Sequence, residues 1–339
     1  MAISMLRRSE TYALVLMLMG IVSGCAGDTR ADGSNRYWVA RRSPNNPLLT
    51  ASSSGIVAEH GFSNINGPSV IRVPSWIDDP LGRYYMYFAH HRGSFIRLAY
   101  ANSIEGPWTV ATDSVLRLED THALDHVASP DVHVDHENRV ILMYFHSVDD
   151  TTRWVQTTYA AHSADGLKFD AHAAPIGPPY MRVFRIEKTW WAIAKVRGGP
   201  GGMLMRARSP FGPFHLGPKI LPGMRHAAVL VEGDIAHVFF SRIGDAPERV
   251  VSTGFNPEIR WIEQSDPEPN ELLHPLFEYE GAKLPVAPSE AGEAMGPVNA
   301  LRDPFVFSED GRHYLFYAVA GESGIAVARL SAAKNDQQN

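Results

Sequence analysis

Asp131, His226 and Asp303 stand far apart along the sequence, yet each opens a run of β-type residues: Ser129-Pro130-Asp131-Val132-His133, His226-Ala227-Ala228-Val229-Leu230 and Asp303-Pro304-Phe305-Val306-Phe307. Carboxylates and imidazoles are the side chains that most readily take and give protons. Arg182, Arg225 and Arg302 occupy neighbouring places in such runs, and their forked donors suit substrate oxygens or a substrate carboxylate. Asn66, His91, His146 and Glu322 complete the polar set, and Glu280 lies in Tyr279-Glu280-Gly281 of a long irregular stretch. Acid–base chemistry on a polar ligand becomes available only if a fold gathers these positions. Such a mixture of charges is costly to bury without a partner, so its convergence would mark a ligand pocket. A self-satisfied network of salt bridges is the structural alternative.

The element that must position them is a repeat. About five times the chain gives a β-rich run entered from Gly, Pro, His or Asp, then a tight polar turn. A run rich in Tyr, Phe and Trp follows, then a run of alternating small and large residues. The remaining copies begin at Gly67-Pro68-Ser69-Val70-Ile71 and Tyr180-Met181-Arg182-Val183-Phe184. This pattern predicts an all-β chain, a five-bladed β-propeller of four-stranded antiparallel blades. A stacked β-sandwich needs no such recurrence. In antiparallel blades the starts of the first strands and the loops after the second strands share one face, where the polar set falls. Turn carboxylates such as Asp78, Glu137, Glu187 and Asp310 fall on the opposite face and serve turns and solubility.

In the fourth copy, Ile259-Arg260-Trp261-Ile262 is expected as the outer strand. The fifth copy ends before a fourth strand, which Trp38-Val39-Ala40 or Asn46-Pro47-Leu48-Leu49 is expected to supply, closing the ring and removing its seam. Residues 265–298, with many Pro, Glu and Gly, read as a long loop over one face. The propeller is expected over 36–331 and a disordered tail over 332–339.

The composition fits a large β core: 45% hydrophobic residues, with 24 Pro and 28 Gly for the turns. A net charge of −6 offers no electrostatic footprint for nucleic acid. No zinc-type cysteine cluster or EF-hand pattern occurs, so no metal ligands and no cofactor are expected; a central ion such as calcium is not readable from the residues.

Arg7 and Arg8 precede a short apolar run, Ala13–Val22, that fits a secretory signal. Its end, Val22-Ser23-Gly24-Cys25, resembles the lipobox of bacterial lipoproteins. The resemblance implies a signal peptide over 1–24, lipidation of Cys25 (the single cysteine), and a flexible tether over 25–35. It implies an exported protein anchored by acyl chains in the bacterial cell envelope, facing the periplasm or the cell surface.

Pro130-Asp131-Val132 and Arg302-Asp303-Pro304 resemble blade starts of the five-bladed propeller glycosidases, the superfamily of glycoside hydrolase family 43. The resemblance spans nearly all of the chain beyond the signal, at the level of the repeat, and is nearest to uncharacterised bacterial lipoprotein members. In that superfamily a base comes from the first blade, an orienting Asp from the second and an acid Glu from a later one. Here Gly67 stands where the first-blade Asp is expected, and Arg225-His226-Ala227 where the Glu is expected. The resemblance implies a glycoside hydrolase acting on an oligosaccharide or polysaccharide in an axial pocket. Asp303 or Asp131 is then the expected base and Glu280 or His226 the expected acid. Asn66, His91, His146, Arg182, Arg225, Arg302 and Glu322 are expected to bind substrate. The alternative is a glycan-binding propeller without catalysis.

Overall fold

The computed structural model describes residues 37–263 and 267–333. Two short strands come first, β1 (Tyr37–Arg42) and β2 (Leu49–Thr50). Blade one contains β3 (Asn66–Arg72), β4 (Tyr84–Ala89), β5 (Phe95–Ala101), β6 (Thr109–Val110) and β7 (Leu116–Arg117). Blade two contains β8 (Ala128–Asp135), β9 (Val140–Asp150), β10 (Val155–Ser163) and β11 (Asp170–Ala171). Blade three contains β12 (Arg182–Ile186), β13 (Thr189–Lys195), β14 (Gly202–Ala207) and β15 (His215–Ile220). Blade four contains β16 (Met224–Glu232), β17 (Ile235–Arg242), β18 (Val250–Phe255), the helix α1 (Pro257–Ile262) and β19 (Asn270–Leu273). Blade five contains β20 (Arg302–Glu309), β21 (Arg312–Val319) and β22 (Gly324–Ala333).

Each sheet runs in chain order from an inner first strand outwards, and every pairing between strands is antiparallel. The fold is therefore the expected five-bladed propeller. Its second strands explain why their sequences are apolar throughout. Side chains alternate between the two faces of a strand, and both faces of a blade are covered. In β4, Tyr85 and Tyr87 pack towards Met143 and Phe145 of blade two. Tyr84, Met86 and Phe88 pack the other way, against Phe305 and Phe316 of blade five. Tyr144 of β9 packs against Met181 and Met205 of blade three, and Leu315 and Tyr317 of β21 against Leu230 and Phe239 of blade four.

Both candidate segments close the ring. Strand β1 pairs along β22, from Tyr37↔Ala333 to Arg42↔Ala328, and supplies the fourth strand of blade five. Strand β2 adds Leu49↔Ile325 further along β22. Trp38 turns from this closing strand into the wedge between blades four and five, with its ring edge-on to Phe239 and His313, both centroids 5.8 Å away. Trp38→Ala is expected to destabilise the protein by about 3–5 kcal/mol, a drop of roughly 10 °C in the thermal midpoint. A melt unchanged from wild type would show that the closing strand contributes nothing.

Two expectations differ from the structure. Ile259–Ile262 lies in α1, not in an outer strand. Asn256 caps this helix by accepting from the amides of Glu258 and Ile259, and Pro257 fits its first turn. The outer strand of blade four is β19, inside the stretch read as loop. Ala332 and Ala333 continue β22 opposite β1, so the strand extends into the expected tail. Cys25, the signal peptide, the tether and residues 334–339 lie outside the described residues.

Candidate functional site

Four of the five inner strands begin with a register irregularity, between Asn66 and Ser69, Ala128 and Asp131, Met224 and Ala227, and Arg302 and Phe305. Such bulges re-aim side chains, here around the ring axis. In three of them the residue before Pro has a left-handed backbone: Gly67 (φ 59°), Ser129 (φ 48°) and Asp303 (φ 48°). A Cβ on Gly67 would lie 3.0 Å from Ser129 Cα. Blades one and two touch there, so a side chain at Gly67 would be crowded and strained by the left-handed backbone.

Asp303 and His226 meet across blades five and four. His226 Nδ1 and Asp303 Oδ1 are hydrogen-bonded, and both residues are buried. Among the described residues His226 Nε2 has no hydrogen-bond partner, and Asp303 Oδ2 is buried with none. Burial, then the positive charges of Arg182, Lys195 and Arg225, holds the His226 imidazole well below its usual proton affinity. It is neutral at pH 7, with Nδ1 facing the carboxylate and Nε2 left as the base lone pair. Tyr180 lies against His226 (ring centroids 4.3 Å apart) and stacks on His146 (4.0 Å).

Above Tyr180 opens a pocket of about 310 Å³, walled by His91, His126 and Gln156 from blades one and two and by Gly292 and Glu293 from the long loop. Arg92 and Trp154 form its rim, with the guanidinium 5.4 Å from the indole centroid. Gly292 and Glu293, of the stretch read as a long loop, line this pole. Arg225 fastens the loop there by donating to the carbonyls of Gly292 (3.2 Å) and Glu290.

Two other carboxylates at this pole, Glu248 and Glu322, are committed to partners. Glu248, fully buried, accepts from Arg225 Nε (2.7 Å), Arg302 Nε (2.8 Å) and Ser241 Oγ (2.8 Å). Glu322 pairs with His91 Nδ1 (3.0 Å) and Arg302 Nη1 (3.3 Å) and accepts from Asn64 (2.6 Å). Burial pushes its carboxyl upward, but His91, Arg302 and Asn64 outweigh that and hold it at about 2. Asn66 donates to Asn64 (3.2 Å), while its own Oδ1 is buried without a partner. Arg182 ties three blades together by donating to the carbonyls of Ala227 (3.0 Å) and Ser129 (3.2 Å).

Two expected catalytic residues lie elsewhere. Asp131 faces a cavity of about 410 Å³ at the opposite mouth of the channel, together with His133, His136 and Arg185. Its Oδ2 accepts from the Val183 amide (2.8 Å) and contacts His133 Nε2 (2.9 Å). Glu280 is buried beside the ring closure, bound to Arg42 (2.7 Å) and Tyr317 (2.9 Å) and to the amides of Leu276 and Phe277. Sequence reasoning did not single out Tyr180 or Glu293 as site residues. Tyr180 opens the third copy, so its place was legible while its aromatic type pointed to packing. Glu293 lies in a stretch without periodicity. Among the described residues no group of three or more His, Cys, Asp or Glu side chains is gathered as a metal ion would require.

No family model matches the chain. Among solved structures it resembles a candidate glycosidase of Bacteroides thetaiotaomicron, with a TM-score of 0.61 at 11% identity over 86% of this chain and 96% of that one. It also resembles a GH43 β-xylosidase/α-arabinofuranosidase from a compost metagenome in complex with xylotriose, with a TM-score of 0.56 at 14% identity over 89% and 97%. A third is the GH43_1 enzyme of Xanthomonas citri complexed with xylotriose, with a TM-score of 0.53 at 12% identity over 85% and 92%. At such identities the likeness is one of fold: this is a propeller resembling those of GH43 glycosidases. A curated relative is 34% identical over 321 residues, which is 85% of this chain and 89% of that protein. It is viral and uncharacterised, so the kinship shown is not the expected one with bacterial lipoproteins. The chain belongs to the same family as uncharacterized protein R118 of Acanthamoeba polyphaga mimivirus.

Proposed function

We propose that the pole pocket above Tyr180 recognises a short glycan. One observation carries this reading: the exposed indole of Trp154 and the hydrogen-bonding groups of Gln156, His91, His126 and Glu293 line one concave site, floored by Tyr180, whose ring is stacked on His146. Sugars present apolar ring faces and polar rims, and such a site complements both. Two structures sharing the fold hold xylotriose, which supports a carbohydrate as the ligand class. Calorimetric titration of an oligosaccharide panel that includes xylotriose tests the proposal. A binding member is expected, and Trp154→Ala, at an exposed rim position, should weaken it about tenfold, which is 1.4 kcal/mol. A panel with no binding member ends the proposal.

Hydrolysis is the second reading, favoured by the His226–Asp303 pair. Paired carboxyl groups across a glycosidic bond are the usual machinery, yet Glu248 and Glu322 are locked in ion pairs. Asp303 orients this imidazole as a carboxylate orients a general base, but burial and the surrounding cations lower its basicity, and it packs against Tyr180 outside the pocket wall. Glu293, whose Oε2 is buried with no hydrogen-bond partner among the described residues, is the carboxyl that the loop brings to the pocket wall. His226→Ala should then lower turnover by at least about a hundredfold while leaving glycan affinity intact. A ligand that binds and is never cleaved by wild type leaves the recognition reading standing alone.

A further inference from the structure

Residues 284–302 of the long loop enclose a second pocket, of about 440 Å³. Leu284, Pro288, Ala294, Met295, Pro297 and Val298 make most of its wall apolar, and Met295 and Val298 stand exposed. The segment is fastened to the blades. Ser289 accepts from the Gly244 amide and donates to the Asp245 carbonyl, both at 3.0 Å, and Val298 donates to the Ala320 carbonyl (3.2 Å). A held apolar hollow of this size suits a small ligand. Two acceptors in the same wall lack a donor. Asn299 is buried, and its Nδ2 donates to the Leu284 carbonyl (3.0 Å), which fixes the orientation of the amide. Its Oδ1 is buried with no hydrogen-bond partner among the described residues, and the same holds for Glu293 Oε2.

A buried acceptor without a donor is costly, and a ligand hydroxyl removes that cost. The donor that fits is neutral. Arg302, bound to Glu248 and Glu322, belongs to the same wall, and Arg92 lies 3.9 Å from Glu293. An ammonium would therefore enter beside two guanidinium groups. Met295 favours an aromatic body, since a thioether packs well on a ring. We propose that the loop pocket binds a phenol, its ring covering Met295 and Val298 and its hydroxyl donating to Asn299 Oδ1. Glu293 Oε2 is the acceptor for a second hydroxyl where the ligand carries one. The site shares only Glu293 with the pole pocket, and the proposal does not depend on glycan binding there.

Ligand-observed NMR titration of the whole protein with para-cresol, toluene and benzylamine tests the proposal. Para-cresol is expected to bind at least about tenfold more tightly than either of the others. Asn299→Leu removes the acceptor and should bring para-cresol down to the affinity of toluene. Met295→Ser, at an exposed position, should leave the thermal melt unchanged and weaken para-cresol and toluene alike by about fivefold. Failure of para-cresol to bind wild type overturns the proposal, as does binding no tighter than that of toluene. Tighter binding of benzylamine would mean that the pocket takes a cation, against the neutral donor. Para-cresol bound by a folded Asn299→Leu as tightly as by wild type would remove Asn299 as the acceptor and overturn the proposal. Should that variant not fold, Met295→Ser decides: undiminished binding there puts the phenol elsewhere on the molecule.

Discussion

Between pH 7 and pH 5 the protein is expected to lose several kcal/mol of folding stability. Four histidines at the polar end of the ring are buried: His90, His126, His146 and His226. Burial is the first cause that lowers the proton affinity of each, and it takes His90 to about 4. Positive charge adds to the effect from Arg97 at His90 and from Arg182 at His226, while Glu59 at His90 and Asp125 at His126 oppose it. The folded chain therefore keeps these rings neutral while the unfolded chain protonates them near pH 6.5. The stability they contribute is complete above pH 6.5. It is lost as the pH falls below that value, and the loss continues down to about 4 at His90. A ring held neutral in the fold contributes a slope of at most about 1.4 kcal/mol per pH unit below 6.5, and His90 keeps that slope down to about 4. Urea titrations at pH 7.5, 6 and 5 measure it. A midpoint that does not move between pH 7.5 and pH 5 would contradict the burial argument.

Loss of the Glu248 carboxylate is expected to be the most damaging single side-chain change at the pole. Its two oxygens hold Arg225 and Arg302, all three buried. Glu248→Ala strands two guanidinium groups away from water, at a cost of about 3–5 kcal/mol. The damage should also reach the ligand site, because Arg225 fastens the loop that carries Glu293. Glu248→Gln keeps hydrogen bonding but not the charge, and should lie between wild type and Ala in a thermal melt. An Ala variant as stable as wild type would mean that the two arginines find other partners. The hub also clarifies the chemistry. Arg302 links Glu248 to Glu322, and Glu322 holds His91 in the pocket wall, so one charged chain connects loop, ring and site.

The local sequence determined the ring. Runs of period two, apolar on both faces in the second strands, specify sheets covered on both sides, and five recurrences specify five blades. The shortage of one outer strand in the fifth copy already pointed to the N-terminal segment, at Trp38–Ala40 or at Asn46–Leu49, and the structure gives β1 the fourth place. An Asn-Pro-Glu start, Asn256-Pro257-Glu258, was a legible helix signal that the β-type residues of Ile259–Ile262 obscured. The order of blades also placed His226 and Asp303 at one pole. Tertiary structure alone decided which polar groups satisfy one another. Periodicity is a local property, whereas the partners of Glu248, Glu322 and Glu280 come from other blades or from the loop. One extra residue at a bulge changes which way a side chain points. Asp303 precedes the proline of its bulge and turns to His226, whereas Asp131 follows the proline of its own and turns to His133 and Val183 near the other mouth.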